Sequence, residues 1–259
     1  MRKNNDSLEY LQKKSFYNRV VTLYGRKPAL EALQDPKLDV LKLHLSDKNR
    51  SQKILDEIQT LAKKRGVEVR SCSAQELSRI SRNAKQDQGV ALDVLCPDHV
   101  SVEEYITSEN WQPSSRILAL DRIANPQNLG MILRSAAAGN VDAVLMPKQG
   151  CASLSPLVVK ASAGAIFRCP LVRCERLENA LTELQKREFK IAVLSGNGEQ
   201  NLFKHSQDSP TIYVLGNESE GVAEGIEKLA DFRLHIPMQR GVESLNVAVT
   251  ASLIAFASN

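Results

Sequence analysis

Three stretches of this chain place hydrogen-bonding and cationic side chains where an apolar run has just ended. The first is Asp121–Ala136, with Asn125-Pro126 at a turn, Asn128 beyond it and Arg134 about two helical turns further on. The second is Gly216-Asn217-Glu218-Ser219-Glu220-Gly221, where two glycines let backbone amides approach a ligand. The third is Ile236–Val249, in which Pro237 stops an apolar run, Gly241 sits in a polar loop, and Ser244 and Asn246 flank the apolar restart at Leu245. Ser195-Gly196-Asn197-Gly198 is a further glycine loop after an apolar run, but position 201 is Asn, so a dinucleotide fingerprint fails. Taken singly, each stretch is equally an ordinary loop, and Asn128 with Arg134 is equally a helix cap with a surface arginine. No Gly-Lys-Ser/Thr follows the glycines, and Ser195 is not in a nucleophile elbow, so neither a P-loop nor a hydrolase triad is supported. His44, His99, His205 and His235 lack metal-ligand spacing, and no metal site is expected.

The elements that must position these groups alternate. Ile117–Leu120, Ala143–Met146, Cys169–Arg173, Lys190–Leu194, Thr211–Leu215 and Phe232–Ile236 read as strands. Gly130–Asn140, Pro156–Ala165, Leu177–Arg187, Ala223–Ala230 and Asn246–Ala257 read as helices between and after them. That order predicts a mainly parallel sheet covered by helices on both faces, with ligands at the strands' carboxyl ends. Upstream, Arg26–Gln34, Ser51–Arg65 and a helix capped by Ser73 alternate with strands at Leu38–Leu45, Val67–Ser71 and Gly89–Leu95, a small α/β module. The expected organisation is a polar extension over 1–18, the module over 19–97, a linker with a short helix over 98–115, and the larger domain over 116–259.

The 259 residues are 42% hydrophobic and 25% charged, ordinary values for a globular protein. No apolar run is long enough to span a membrane, and Met1–Lys14 lacks the apolar core of a signal peptide. Five cysteines without a C-x-x-C pair read as free thiols, and the expectation is a soluble cytoplasmic protein. The formal charge of +4 is unevenly spread: residues 1–97 hold 19 Lys and Arg against 12 Asp and Glu. On charge alone the module is either a polyanion-binding part or a lysine-rich solvated surface.

Together, and in this order, the three stretches resemble the motifs of the SpoU/TrmH family of RNA ribose 2′-O-methyltransferases. Asn128-Leu129-Gly130 with Arg134-Ser135-Ala136 is similar to the first motif, Gly216-Asn217-Glu218 with Gly221 to the second, and Ile236-Pro237-Met238 with Ser244-Leu245-Asn246-Val247 to the third. Tyr24-Gly25-Arg26 and Gln88-Gly89-Val90 resemble the two ends of the family's substrate-binding domain. Two positions depart from the pattern: Asn125 stands where the family often has Asp, and Asp87 where it often has His. The resemblance implies a SPOUT-type, trefoil-knotted catalytic domain, a homodimer with its active site at the subunit boundary, S-adenosylmethionine as cofactor and RNA as partner. It implies Arg134, Asn128, Glu218, Ser244 and Asn246 as catalytic residues. Ser195, Gly196, Gly198, Leu215, Gly216, Ile236, Ser244, Leu245 and Asn246 would hold the cofactor, and Arg26, Lys27 and Arg134 would meet RNA. The two-part layout with a basic N-terminal module resembles the family's ribosomal RNA methylases more than its transfer RNA ones, which implies large-subunit (23S) ribosomal RNA as the target. A transfer RNA substrate, or a catalytically silent protein that binds structured RNA, is the alternative.

Overall fold

The computed structural model describes Lys13 and residues 15–257, and it divides the chain into two compact units. The first comprises Met1–Pro97 with Leu154–Pro156, the second the remainder. Of the polar extension expected over 1–18, residues 1–12 and 14 lie outside the described residues.

In the first unit, β1 (Val20–Tyr24), β2 (Asp39–Ser46), β3 (Glu68–Cys72) and β4 (Val90–Leu95) form one sheet in the order β1-β4-β2-β3. β4 runs antiparallel to β1 and β2, and β3 runs parallel to β2. The helices are α1 (Arg26–Gln34), α2 (Lys53–Lys64) and α3 (Ala74–Ser81). Leu55, Ile58 and Ala62 recur on one side of α2, and that side is the buried one. Ser73 accepts a bond from the Glu76 amide at 3.2 Å, but Glu76 turns its carboxylate to Arg70, so the reciprocal half of a capping box is missing.

The second unit is one parallel sheet of eight strands, ordered β10-β12-β9-β11-β6-β7-β8-β5. Its strands are β5 (His99–Ser101), β6 (Arg116–Leu120), β7 (Ala143–Pro147), β8 (Leu171–Cys174), β9 (Lys190–Leu194), β10 (Gln200–Asn201), β11 (Thr211–Leu215) and β12 (Phe232–His235). The central strands β6, β7 and β11 are buried at every residue, which is why they read as unbroken apolar runs. Ile117, Ala119, Leu145, Val193 and Val214 pack on one face with Val102 of α4 (Val102–Ser108) and Leu181 and Leu184 of α7 (Leu177–Gln185). Against the other face lie α5 (Pro126–Ala138) and α9 (Val247–Phe256). The remaining helices are α6 (Pro156–Ala161) and α8 (Glu224–Glu227).

Several expectations shift. The segment 98–115 is built into the second unit: His99–Ser101 pairs with Leu171–Arg173, and Ser101 and Glu104 form a full capping box for α4. Inside this edge the buried His99 ring bonds the Ile166 carbonyl at 3.0 Å, and burial lowers its pKa to about 4. α6 stops at Ala161, because Ala163 and Gly164 turn left-handed and a separate 3-10 turn follows at Ala165–Phe167. The strand expected at Cys169–Arg173 starts only after Pro170, at Leu171. β10 has no counterpart in the sequence reading.

β6, β7 and β8 step toward one edge, whereas β9 lies on the far side of β6 and β11 returns between them. Connections therefore diverge between β6 and β11, the place where parallel sheets open a crevice at their carboxyl ends. The C-terminal α9 comes back to lie along α5. Ser135 and Ser252 share a hydroxyl bond of 2.8 Å, the Asn140 amide bonds the Ala255 carbonyl at 2.8 Å, and Arg116 donates to the carbonyls of Ile254 and Ala257. Gly130 faces α6 so closely that an added Cβ would lie 2.5 Å from the Ala161 Cβ and 2.7 Å from the Val158 carbonyl. Gly130→Ala is therefore expected to lower stability by about 1–3 kcal/mol through overpacking, as read from urea unfolding. An unchanged midpoint would show that the α5–α6 contact gives way freely.

Candidate active site

The site is built on the first turns of α5. Asn125 caps that helix, accepting from the amides of Gln127 (2.8 Å) and Asn128 (3.5 Å), and Pro126 occupies the first helical position. The helix so begins four residues before the expected Gly130, and capping falls to Asn125 rather than Asn128. Relieved of that duty, the buried Asn128 side chain works at both its ends. Its Nδ2 donates to a carboxylate oxygen of Glu218, and its Oδ1 accepts from Asn246 Nδ2 at 3.1 Å. Asn246 Oδ1 in turn accepts from the Ala248 amide at 2.8 Å and caps α9. One amide thus joins the three stretches that the sequence singled out.

The loop carrying Glu218 is held from below. Asp121, a buried carboxylate at the end of β6, accepts from the Ala223 amide at 2.8 Å and from the Arg122 guanidinium. Arg122, in the left-handed region at φ 58°, also donates to Glu220 and to the Gly221 carbonyl, while its own carbonyl accepts from Asn217 Nδ2 at 3.1 Å. The bond to Asp121 first, and the charge of Asp121 and Glu220 with it, raise the Arg122 pKa and keep it a cation. Gly216 is obligatory here, since a Cβ would lie 2.3 Å from the Gly221 carbonyl carbon. Asp121, Arg122, Asn217 and Glu220 were missed as site residues; the signal was an Asp-Arg pair at a strand end answering a later acidic loop.

The loops carrying Ser195, Glu218 and Asn246 wall a cleft of about 450 Å³ at the carboxyl ends of β9, β11 and β12, and Asn128 stands behind that wall without lining it. Of the residues expected to hold a cofactor, Ser195, Gly196, Leu215, Gly216, Ile236, Ser244, Leu245 and Asn246 line it, together with Glu218. Gly198 does not line it; its bare Cα presses on β12, where a Cβ would lie 2.5 Å from the Leu234 carbonyl carbon. Ser244 is exposed and makes no hydrogen bond among the described residues. Backbone edges and small residues leave room for a flat heterocycle, and Leu215, Ile236 and Leu245 offer it apolar surface. Arg134 is not in the cleft. Six residues beyond Asn128, it sits roughly 120° around α5, exposed and without an ion pair or hydrogen bond among the described residues. Arg26 and Lys27 belong to the first unit. Arg26 is engaged with the Gln88 carbonyl at 3.0 Å and with Gln52, and Lys27 is exposed. Among the described residues no group of three or more His, Cys, Asp or Glu could hold a metal ion. Cys151 is partly buried, and burial raises its thiol pKa.

Comparison with known proteins matches residues 115–256 to the SpoU rRNA Methylase family and residues 22–95 to the RNA 2′-O ribose methyltransferase substrate-binding family. A 23S rRNA (guanosine-2′-O-)-methyltransferase RlmB of Xylella fastidiosa is 31% identical over 238 residues, 90% of this chain and 94% of its own length. An uncharacterized tRNA/rRNA methyltransferase, MG252 homolog, of Mycoplasma pneumoniae is 32% identical over 238 residues, 90% of this chain and 95% of its own. Among solved structures, the SpoU methyltransferase AviRb of Streptomyces viridochromogenes, in complex with AdoMet, shares the fold. Its TM-score is 0.63 at 20% identity, over 98% of this chain and 92% of that one.

The Asn128 bridge has a direct test. Asn128→Asp keeps the shape but sets a carboxylate against Glu218, and is expected to cost about 1–3 kcal/mol of stability at neutral pH. Adding Glu218→Gln restores a donor–acceptor pair and should recover most of that loss in a double-mutant cycle read by urea unfolding. Additive losses would mean that the two side chains are not coupled.

Proposed function

The chain belongs to the SpoU family of RNA methylases, and from that membership we propose how its own residues perform the reaction. The activity is methylation of a ribose 2′-hydroxyl in RNA, with S-adenosylmethionine as cofactor. The substrate we assign is large-subunit ribosomal RNA. Supporting this choice are the 31% identity to a 23S rRNA methyltransferase and the excess of Lys and Arg in residues 1–97. A cytoplasmic setting goes with it, in keeping with five free cysteines and with no helix, among the described residues, long and apolar enough to cross a membrane.

The observation that carries the assignment of residues is that Asn128, itself behind the cleft's lining, ties together Glu218 and Asn246, which line it. S-adenosylmethionine supplies an electrophilic methyl group on a sulfonium. The chain's part is to hold that group and to align a hydroxyl with it. Backbone around Gly196, Gly216, Ile236 and Leu245 binds the adenosine part. Glu218 fixes Asn128, and Asn128 and Asn246 hold the wall that orients the methyl group. Ser244, free of internal bonds, is available to the incoming ribose. A guanidinium offers hydrogen-bond donors and no acceptor, so Arg134 is not the group that takes the hydroxyl proton. It clamps the neighbouring phosphate and stabilises the developing alkoxide, and the proton leaves to solvent.

Arg134 lies outside its own subunit's cleft, so the reaction needs a second copy of the chain. The surface for it is apolar: Met131 on α5 is 41% exposed, and Val249 and Phe256 on α9 are 46% and 61% exposed. A helix apolar on every side, as α9 is, belongs in an interior, and a homodimer supplies one. Arg134 of the partner subunit then completes each cleft. The return of the C-terminal segment against α5 and β6 supports a trefoil-knotted chain.

Arg134→Ala is expected to remain a dimer and bind cofactor, while methyl transfer to deproteinised large-subunit rRNA falls by roughly 100-fold or more. Phe256→Glu should instead give a monomer without transfer. Near-normal turnover in the first variant, or an active monomer in the second, would remove these roles. No transfer by the wild type to any RNA would favour the silent RNA-binding alternative.

A further inference from the structure

The cations of the first unit fall into two kinds. Lys42 pairs with Glu68 at 2.8 Å, Arg70 pairs with Glu76, and Arg65 donates to the carbonyls of Ala32, Leu33, Asp35 and Leu38. Lys27, Lys48, Arg50, Lys53, Arg82 and Lys85 are exposed and make no ion pair or side-chain hydrogen bond among the described residues. Lys37, Lys63 and Lys64, equally exposed and without such a partner among the described residues, lie at the other end and Arg79 lies along α3, whereas these six gather at one end of the sheet. β1 and β2 both run antiparallel to β4, so the β1–α1 loop, the β2–α2 loop and the α3–β4 loop meet there.

That end is fixed rather than loose. Arg26 Nε donates to the Gln88 carbonyl at 3.0 Å, and its guanidinium also reaches Gln52. Asn49 Nδ2 donates to the Gly89 carbonyl at 2.7 Å, in a space where a Gly89 Cβ would lie 2.0 Å from Asn49 Oδ1. Asn83 Nδ2 donates to the Tyr24 hydroxyl at 3.0 Å. Asp87 turns inward, accepting from Ser81 Oγ and the Gly89 amide at 3.0 Å each, so its charge is not presented outward. Asp47 is the exposed carboxylate among these loops. Six like charges against one exposed carboxylate repel one another, and a polyanion relieves the repulsion.

We infer that this laced loop end is the phosphate-docking surface for RNA, with Lys27, Lys48, Arg50, Arg82 and Lys85 as backbone contacts and Arg26 as the residue that positions the loops. The inference rests on the reading of the chain as an RNA methylase. It changes the part of Arg26, whose guanidinium is spent on Gln88 and Gln52. It also accounts for Asp87, which serves as an internal brace through Ser81 and the Gly89 amide. Phosphate contacts of this kind fix register and add affinity without reading sequence.

The test uses the full chain in three double variants: Lys48→Ala with Arg50→Ala, Arg82→Ala with Lys85→Ala, and, as control, Lys63→Ala with Lys64→Ala. The control removes two exposed cations from the other end of α2. Affinity for deproteinised large-subunit rRNA is measured across KCl concentrations. Each loop-end variant is expected to bind roughly tenfold more weakly and to flatten the log K against log[salt] slope by about one to two, as each lost phosphate contact removes about 0.7–0.9. The control should match wild type. In turnover the loss should appear in KM for RNA rather than in kcat. Wild-type affinity and slope in both loop-end variants, or an equal loss in the control, would overturn the inference. Absence of methyl transfer by the wild type would count against the reading of function, while the salt slopes would still decide the docking surface.

Discussion

A single buried carboxamide holds the second unit's functional end together. Asn128 donates to Glu218, 90 residues later, and accepts from Asn246, 118 residues later. Only a side chain that is donor and acceptor at once can do both: Asp in its place would repel Glu218, and Leu would leave Asn246 unmet. The bond to Glu218 is charge-assisted, and Asn128 is removed from competing water, so the bridge is stronger than a surface contact between the same groups. Asn246 passes the constraint on, because its other end caps α9.

The surrounding structure keeps that amide free for this use. Asn125 takes over the cap of α5, so Asn128 is not spent on backbone amides. Asp121 and Arg122 hold the far side of the Glu218 loop through a strand-end carboxylate and a left-handed arginine. Bare Cα atoms at Gly130, Gly139 and Gly216 let neighbouring segments approach more closely than any side chain permits. The result is a fixed wall behind an open cleft, with Ser244 and Arg134 left exposed. A methyl transferase can use that division, since alignment needs rigidity and an incoming RNA needs unoccupied polar groups.

The parallel sheet was legible because its central strands are apolar runs between glycine and polar loops, as Thr211–Leu215 and Ile117–Leu120 show. Where local signals compete, the sequence misleads. Pro126 could end one element or begin the next, and only the packed helix shows that it begins α5. His99–Ser101 is too short to read as a strand until β8 is beside it. The site residues that announce themselves are those at loop apices with unusual chemistry. Asp121 and Arg122 give only a faint signal in sequence, an Asp-Arg pair at a strand end, because their partners Ala223, Glu220 and Gly221 lie about 100 positions away. Arg26 shows the converse: its type suggests a phosphate contact, and its geometry makes it a tie between loops.

The central claim is that the Asn128 bridge shapes the wall against which S-adenosylmethionine binds. Calorimetric titration of the cofactor into wild type and Asn128→Ala tests it most directly. The bridge predicts saturable binding to wild type and at least about tenfold weaker binding to the variant, a loss of about 1.4 kcal/mol, with the variant still folded. Equal affinities in the two proteins would contradict it and would place the cofactor against some other wall.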